Sequence, residues 1–268
     1  DADFLSVPSQ CLILTMRQNQ KYFPLFATDG NLTNKFLIVS NMRLADPQNI
    51  VEGNQRVVRP RLADARFFFE TDKKIKLEDR VSQLGNVVYH NKLGSQLDRI
   101  GRVRALAKTV ALTVGADPAL ADRAALLAKA DLVSNMVGEF PELQGVMGRY
   151  YAQADGEDAR VADAIGDQYR IRLDEQRDAS NLVSLCLFIA DRTETLVGIW
   201  GIGLQPTADK DPFGLRRAAL GLISAFETLA VASRSSGKAV TLQLPALLEE
   251  ATNLYPPGTI GKDIIQPI

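Results

Sequence analysis

Apolar residues along most of this chain recur at helical spacing. Leu97, Ile100, Val103, Ala107 and Val110 fall on one face of a helix, with Ser95 as its N-cap and Gly115 as its stop. Asp117 and Pro118 open the next helix, which reads as continuing through Ala124 to Phe140 (AALLAKADLVSNMVGEF) until Pro141. Two shorter helices, Glu142 to Tyr151 and Gly156 to Tyr169, flank a turn at Ala154, Asp155 and Gly156. A polar loop, Arg170 to Ser180, leads to a strongly apolar helix from Leu182 to Val197 (LVSLCLFIADRTETLV). Asp211 and Pro212 start a helix to about Ala232, Ser233 to Lys238 reads as flexible, and Thr241 to Leu254 is a last amphipathic helix.

The first 75 residues carry a different pattern. Cys11 to Met16, Tyr22 to Ala27 and Lys35 to Asn41 are apolar runs of strand length, with a turn at Asp29, Gly30 and Asn31. Pro24 demotes the second run to an edge strand or to a strand with a bulge. Asp46 and Pro47 signal a helix start, and Ile50, Val57, Val58, Leu62, Ala65, Phe68 and Phe69 approximate a helical face. Pro60 within that span is expected to kink or divide the helix, with two helices meeting near Arg59 and Pro60. Asp72 to Lys76 reads as a solvated connection. The expected fold is mainly α: an all-helical domain over 76–255, preceded over 1–75 by the end of an α+β part and followed over 256–268 by a linker. The chain opens on Asp1 rather than Met and closes on Ile268 without a terminal cap, so it reads as a piece of a longer protein.

Composition narrows the chemistry. A formal net charge of −1 predicts no bulk attraction to nucleic acid or anionic membrane, so such binding needs a local patch. Two cysteines far apart in sequence, each in an apolar run, read as buried free thiols of a reducing compartment. No apolar run is long enough for a membrane span. The single histidine, His90, excludes His-rich zinc sites and leaves any His-dependent mechanism one candidate base, next to a turn. The sequence contains no P-loop, dinucleotide-binding glycine motif, HExxH or nucleophile elbow.

Two helices place an aspartate beside alanine in an apolar stretch, at Asp131 and Asp191. Together with Arg99 and the run Ala124 to Asp131, this pattern resembles the HD superfamily of all-helical phosphohydrolases. The resemblance implies metal ligands: a His on an early helix, an adjacent His–Asp pair and a later Asp. Here the first position falls near Arg99 and the His of the pair is Ala130, leaving Asp131 and Asp191. Two carboxylates hold a divalent metal weakly, and a cation at a ligand position opposes it. The expectation is a relic fold without metal, in which Arg99 pairs with Asp131 or Asp191. A metal-dependent phosphohydrolase is the alternative.

Arg56, Arg59, Arg61 and Arg66 cluster in one segment, and Lys210, Arg216 and Arg217 in another. Such clusters suit phosphate partners. The bland alternative for the first is pairing with Asp64, Glu70 and Asp72 at helical spacing. For the second, arginines near a helix start are unfavourable to its dipole and answer to a partner or an acidic neighbour.

Longer stretches carry a further resemblance. Met16 to Leu25 (MRQNQKYFPL), Gly53 to Phe68 (GNQRVVRPRLADARFF), Leu93 to Ser95, Asn135 to Phe140, Gln144 to Gly148 and Lys210 to Ala219 (KDPFGLRRAA) are collinear along nearly the whole chain. They resemble the β subunits of bacterial heterotetrameric glycyl-tRNA synthetases. The resemblance implies a cytoplasmic ligase in which a separate α subunit activates glycine with ATP and Mg and transfers it to tRNA(Gly). The β subunit binds and positions tRNA, and a further anticodon-binding domain follows. It implies no cofactor and no catalytic residue in this chain, and it leaves open a pure scaffold without RNA contact. The seven basic residues become candidate phosphate contacts.

Overall fold

The computed structural model describes residues 1–42, 46–173, 181–236 and 242–261. Among them lie eleven α-helices and two small antiparallel hairpins, so the fold is mainly α. In chain order they are α1 (Ser9–Gln20), β1 (Phe23–Phe26), β2 (Leu32–Leu37), α2 (Gln48–Asp72), α3 (Leu77–Arg80), β3 (Val88–His90), β4 (Gly94–Ser95) and α4 (Gln96–Val114). Then follow α5 (Pro118–Leu127), α6 (Asn135–Glu139), α7 (Val146–Ala154), α8 (Ala159–Asp167), α9 (Leu182–Gly201), α10 (Leu215–Ser236) and α11 (Leu244–Asn253). The chain separates into two compact units, Asp1–Ile75 with Ser134–Leu143, and Lys76–Val133 with Gln144–Ile268.

In the first unit α1 and α6 pack on the long helix α2, and β1 pairs with β2 beside them. Cys11 to Met16 is helical, where a strand was expected. Cys11, Leu12, Thr15 and Met16 are buried, and that 1-2-5-6 spacing is one helical face rather than strand alternation. The first unit therefore has two strands, the second being Leu32–Leu37 rather than Lys35 to Asn41. Helix α2 runs unbroken through Pro60, where two helices were expected. Proline removes only one backbone donor, and packing of Val58, Ala65 and Phe69 keeps the helix continuous. Asp72 is fully buried, not solvated: its carboxylate accepts from the Asn135 and Met136 amides, each at 2.9 Å, at the start of α6.

In the second unit α9 is the central helix, packed by α4, α5, α8, α10 and α11. It is buried on almost every side, as an all-round apolar sequence requires. Its partners carry the expected caps. Ser95 and Asp98 form a capping box on α4, Gly115 ends it in a left-handed conformation, and Asp117 caps α5. The stretch Ala124 to Phe140 is not one helix: α5 stops at Leu127, a 3-10 turn spans Ala130–Val133, and α6 follows. The hairpin of β3 and β4 lies in a region expected to be wholly helical. Both cysteines are buried free thiols. Among the described residues no helix is long and apolar enough to cross a membrane. The loop expected at 174–180, the flexible segment at 237–238 and the linker over 262–268 lie outside the described residues.

Candidate functional site

Helix α9 carries Asp191, Arg192 and Glu194 at its middle, all buried. An ionised group without a partner in such an interior is strongly destabilising. Helix α4 supplies partners at matching spacing: Arg99 and Arg102 are one turn apart, as are Asp191 and Glu194. Arg99 Nη2 donates to Asp191 Oδ1 at 3.0 Å and to Thr195 Oγ1 at 2.8 Å, and its Nε donates to Glu194 Oε2 at 2.9 Å. Arg102 Nε and Nη2 donate to Glu194 Oε1 at 3.0 and 2.8 Å, and Tyr255 Oη donates to the same oxygen at 2.8 Å. Just past α5, the Lys129 ammonium lies 3.1 Å from Asp191 Oδ1.

Aromatic rings take the place of water around these cations. Arg99 lies 4.4 Å over Tyr89, Arg102 4.4 Å over Tyr255, Lys129 4.3 Å over Tyr169, and Arg192 3.4 Å over Phe188. Burial pushes the Asp191 carboxyl up, but Arg99, Lys129 and Arg192 outweigh it and hold the group well below the usual carboxylate range. Burial pushes Lys129 down to about 8 against the pull of Asp191, and Arg192 down to about 10.

Asp131 does a separate job. Its Oδ2 accepts from the Gly145 amide at 2.6 Å and the Gly148 amide at 3.0 Å, at the N-terminus of α7. Burial pushes its carboxyl up to about 6, with the two amide bonds acting the other way. Gly145 has φ 80°, and a Cβ there would overlap the Tyr169 ring. Of the two carboxylates expected as partners for Arg99, it takes Asp191.

The positions aligned with HD metal ligands do not fit a metal ion. Arg99 is a cation bonded to Asp191, Ala130 offers no donor, and Asp131 Oδ2 is engaged by two amides. Lys129 and Arg99 already meet the charge of Asp191. Among the described residues no group of three or more His, Cys, Asp or Glu could hold a metal. This donor set supports no metal-activated water.

The basic residues proposed for phosphate contact all lie at the surface. Arg56, Arg59, Arg61 and Arg66 are exposed on α2. Arg59, Arg66 and Lys73 follow at two-turn intervals and form one stripe, with Arg56 a turn before Arg59 and Arg61 on another side. The expected pairs with Asp64, Glu70 and Asp72 do not form for these arginines. Arg59 lies 3.5 Å from Asp1, and Arg56, Arg61 and Arg66 have no ion-pair partner among the described residues. In the second unit Lys210, Arg216 and Arg217 are exposed. Asp211 accepts from the Leu215 and Arg216 amides at 2.8 and 2.9 Å, which answers the dipole of α10, and the Arg216 guanidinium bonds the Thr207 carbonyl. Arg217 lines a cavity of about 320 Å³ together with Arg99, Lys129, Asp191 and Arg192.

Sequence reasoning missed Arg102, Lys129, Arg192 and Glu194. The signal was present: three ionisable residues within four positions of an otherwise apolar helix must all find partners. Arg99 and Arg102 on a neighbouring amphipathic helix repeat the same one-turn spacing.

Fold and network together describe a mainly helical module with a buried ionic centre. The family model for the glycyl-tRNA synthetase beta subunit matches residues 1–266. The chain is 56% identical over 261 residues to the glycine–tRNA ligase beta subunit of Aromatoleum aromaticum, which covers 97% of this chain and 36% of that protein. It is 57% identical over 220 residues to that of Neisseria gonorrhoeae, covering 82% of this chain and 32% of the relative. For Janthinobacterium sp. the values are 60% over 220 residues, 82% and 31%. The chain belongs to the glycyl-tRNA synthetase β-subunit family, and it spans about a third of the length of these curated relatives.

Proposed function

We propose that this chain is the tRNA-positioning core of a glycyl-tRNA synthetase β subunit. In this reading it works in a cytoplasmic heterotetramer, and a separate α subunit uses ATP and Mg to activate glycine and attach it to tRNA(Gly). The chain itself carries no catalytic residue. The supporting observation is the row of exposed arginines on α2 that lack intrahelical counterions. Solvated guanidinium groups without partners remain free to bond phosphate oxygens, often through two parallel N–H donors.

The reading is tested in the intact α–β enzyme with the double variant Arg59→Ala/Arg66→Ala. The KM for tRNA(Gly) rises by about tenfold, the loss of one or two charge-assisted contacts. Glycine-dependent ATP–pyrophosphate exchange, which needs no tRNA, stays at the wild-type rate. An unchanged KM for tRNA removes α2 from the RNA surface and favours a scaffold role.

A further inference from the structure

The ionic centre of the second unit holds more positive than negative charge. Four buried cations, Arg99, Arg102, Lys129 and Arg192, face two carboxylates, Asp191 and Glu194. Glu194 is saturated by Arg99, Arg102 and Tyr255. Asp191 is shared between Arg99 at 3.0 Å and Lys129 at 3.1 Å. Arg192 comes no closer to it than 3.8 Å. Its terminal nitrogens bond the backbone carbonyls of Gln168 and Arg170, and its buried Nε has no hydrogen-bond partner among the described residues. Asp131, whose Oδ2 accepts from the α7 amides, offsets one further cation through its charge interaction with Lys129 and leaves one positive charge in excess.

This excess of positive charge adjoins open space. Lys129, Arg192, Arg99 and Arg217 line the same cavity of about 320 Å³. Arg217 stands exposed in the first turn of α10, with no ion-pair partner among the described residues. Arg170, also at the wall, is paired with Asp167 at 3.5 Å. Among the described residues the one carboxylate at the wall is Asp191, already paired with two cations. A cleft lined by an excess of positive charge focuses potential and favours an anion.

We propose that this cavity is an anion site that takes a phosphate group, held by Lys129 and Arg192 inside and by Arg217 at the rim. Guanidinium forks match the oxygens of a phosphate, and the space admits the group with part of whatever bears it. The site is separate from the α2 arginines and does not depend on the role assigned to them. Its phosphate comes either from a free phosphorylated small molecule or from RNA.

Titration calorimetry of the chain with inorganic pyrophosphate, at ionic strength held constant with chloride, tests the site. Saturable binding is expected, and Arg217→Ala weakens it by about tenfold, the loss of one charge-assisted contact. Arg56→Ala, which removes an equal charge from α2, leaves it unchanged. Both positions are exposed, so unfolding midpoints of the two variants stay at the wild-type value, and Lys129→Met serves as a second probe from inside the cavity. No saturable heat with the wild-type chain, or equal weakening by Arg217→Ala and Arg56→Ala, overturns the proposal. Competition then identifies the source. Displacement of bound tRNA(Gly) by pyrophosphate marks an RNA phosphate, and simultaneous binding of both marks a free phosphorylated small molecule.

Discussion

Arginines meet two fates in this molecule. On α4 and α9 of the second unit, Arg99, Arg102 and Arg192 are buried, hydrogen-bonded and covered by aromatic rings. On α2 of the first unit, Arg56, Arg59, Arg61 and Arg66 stand in solvent, and three of them have no counterion among the described residues. The same side chain is thus held in place where carboxylates, carbonyls and aromatic rings enclose it and available where it faces solvent. The buried set should govern stability, and the exposed set should govern association.

The largest expected effect comes from breaking the buried set. Asp191→Asn leaves Arg99, Lys129 and Arg192 around a neutral amide, and denaturant unfolding should show a loss of about 3–5 kcal/mol. A shortfall to the level of a surface substitution would mean that the network is not structural. Next comes Asp131→Ala. Two buried amides at the start of α7 lose their acceptor, with an expected loss on the order of 2–4 kcal/mol in the same experiment.

A smaller effect is read from pH. Lys129 has a folded pKa of about 8, below the ordinary lysine value of 10.5. Between those values the unfolded chain binds more protons than the folded one, so stability contributed by this group rises with pH across that window. It is lost again as pH falls through the folded value. Lys129→Met should remove the rise, seen as a flatter dependence of the urea midpoint on pH from about 8 to 10 than in wild type. The smallest stability effect belongs to the exposed set: Arg56→Ala, Arg59→Ala and Arg66→Ala should each stay within about 0.5 kcal/mol of wild type.

The sequence made local punctuation legible. Ser95, Gly115, Asp117 and Asp211 mark helix ends through side-chain or backbone chemistry that acts within a few residues. The pairing of Arg99 with Asp191 was also within reach, since a buried carboxylate needs a cation. Errors arose where a short apolar run or one breaker residue was weighed without tertiary contacts. Cys11 to Met16 suits strand or helix by composition, and packing on α2 decides for helix. Pro60 breaks no helix because buried neighbours on the same face hold it. The helix expected over Ala124 to Phe140 is interrupted after Leu127, where Asp131 in a 3-10 turn bonds the amides of Gly145 and Gly148, 14 and 17 residues away. The role of Lys129 was hidden for the same reason, because its partner lies on a helix some sixty residues away.

The central proposal is that the exposed α2 arginines meet RNA phosphates. The salt dependence of tRNA(Gly) affinity in the intact α–β enzyme tests it most directly. Each phosphate contact contributes about 0.7–0.9 to the slope of log K against log salt. The triple variant Arg56→Ala/Arg59→Ala/Arg66→Ala should lower that slope by roughly two to three, with unfolding unchanged. Equal slopes for variant and wild type would contradict the account.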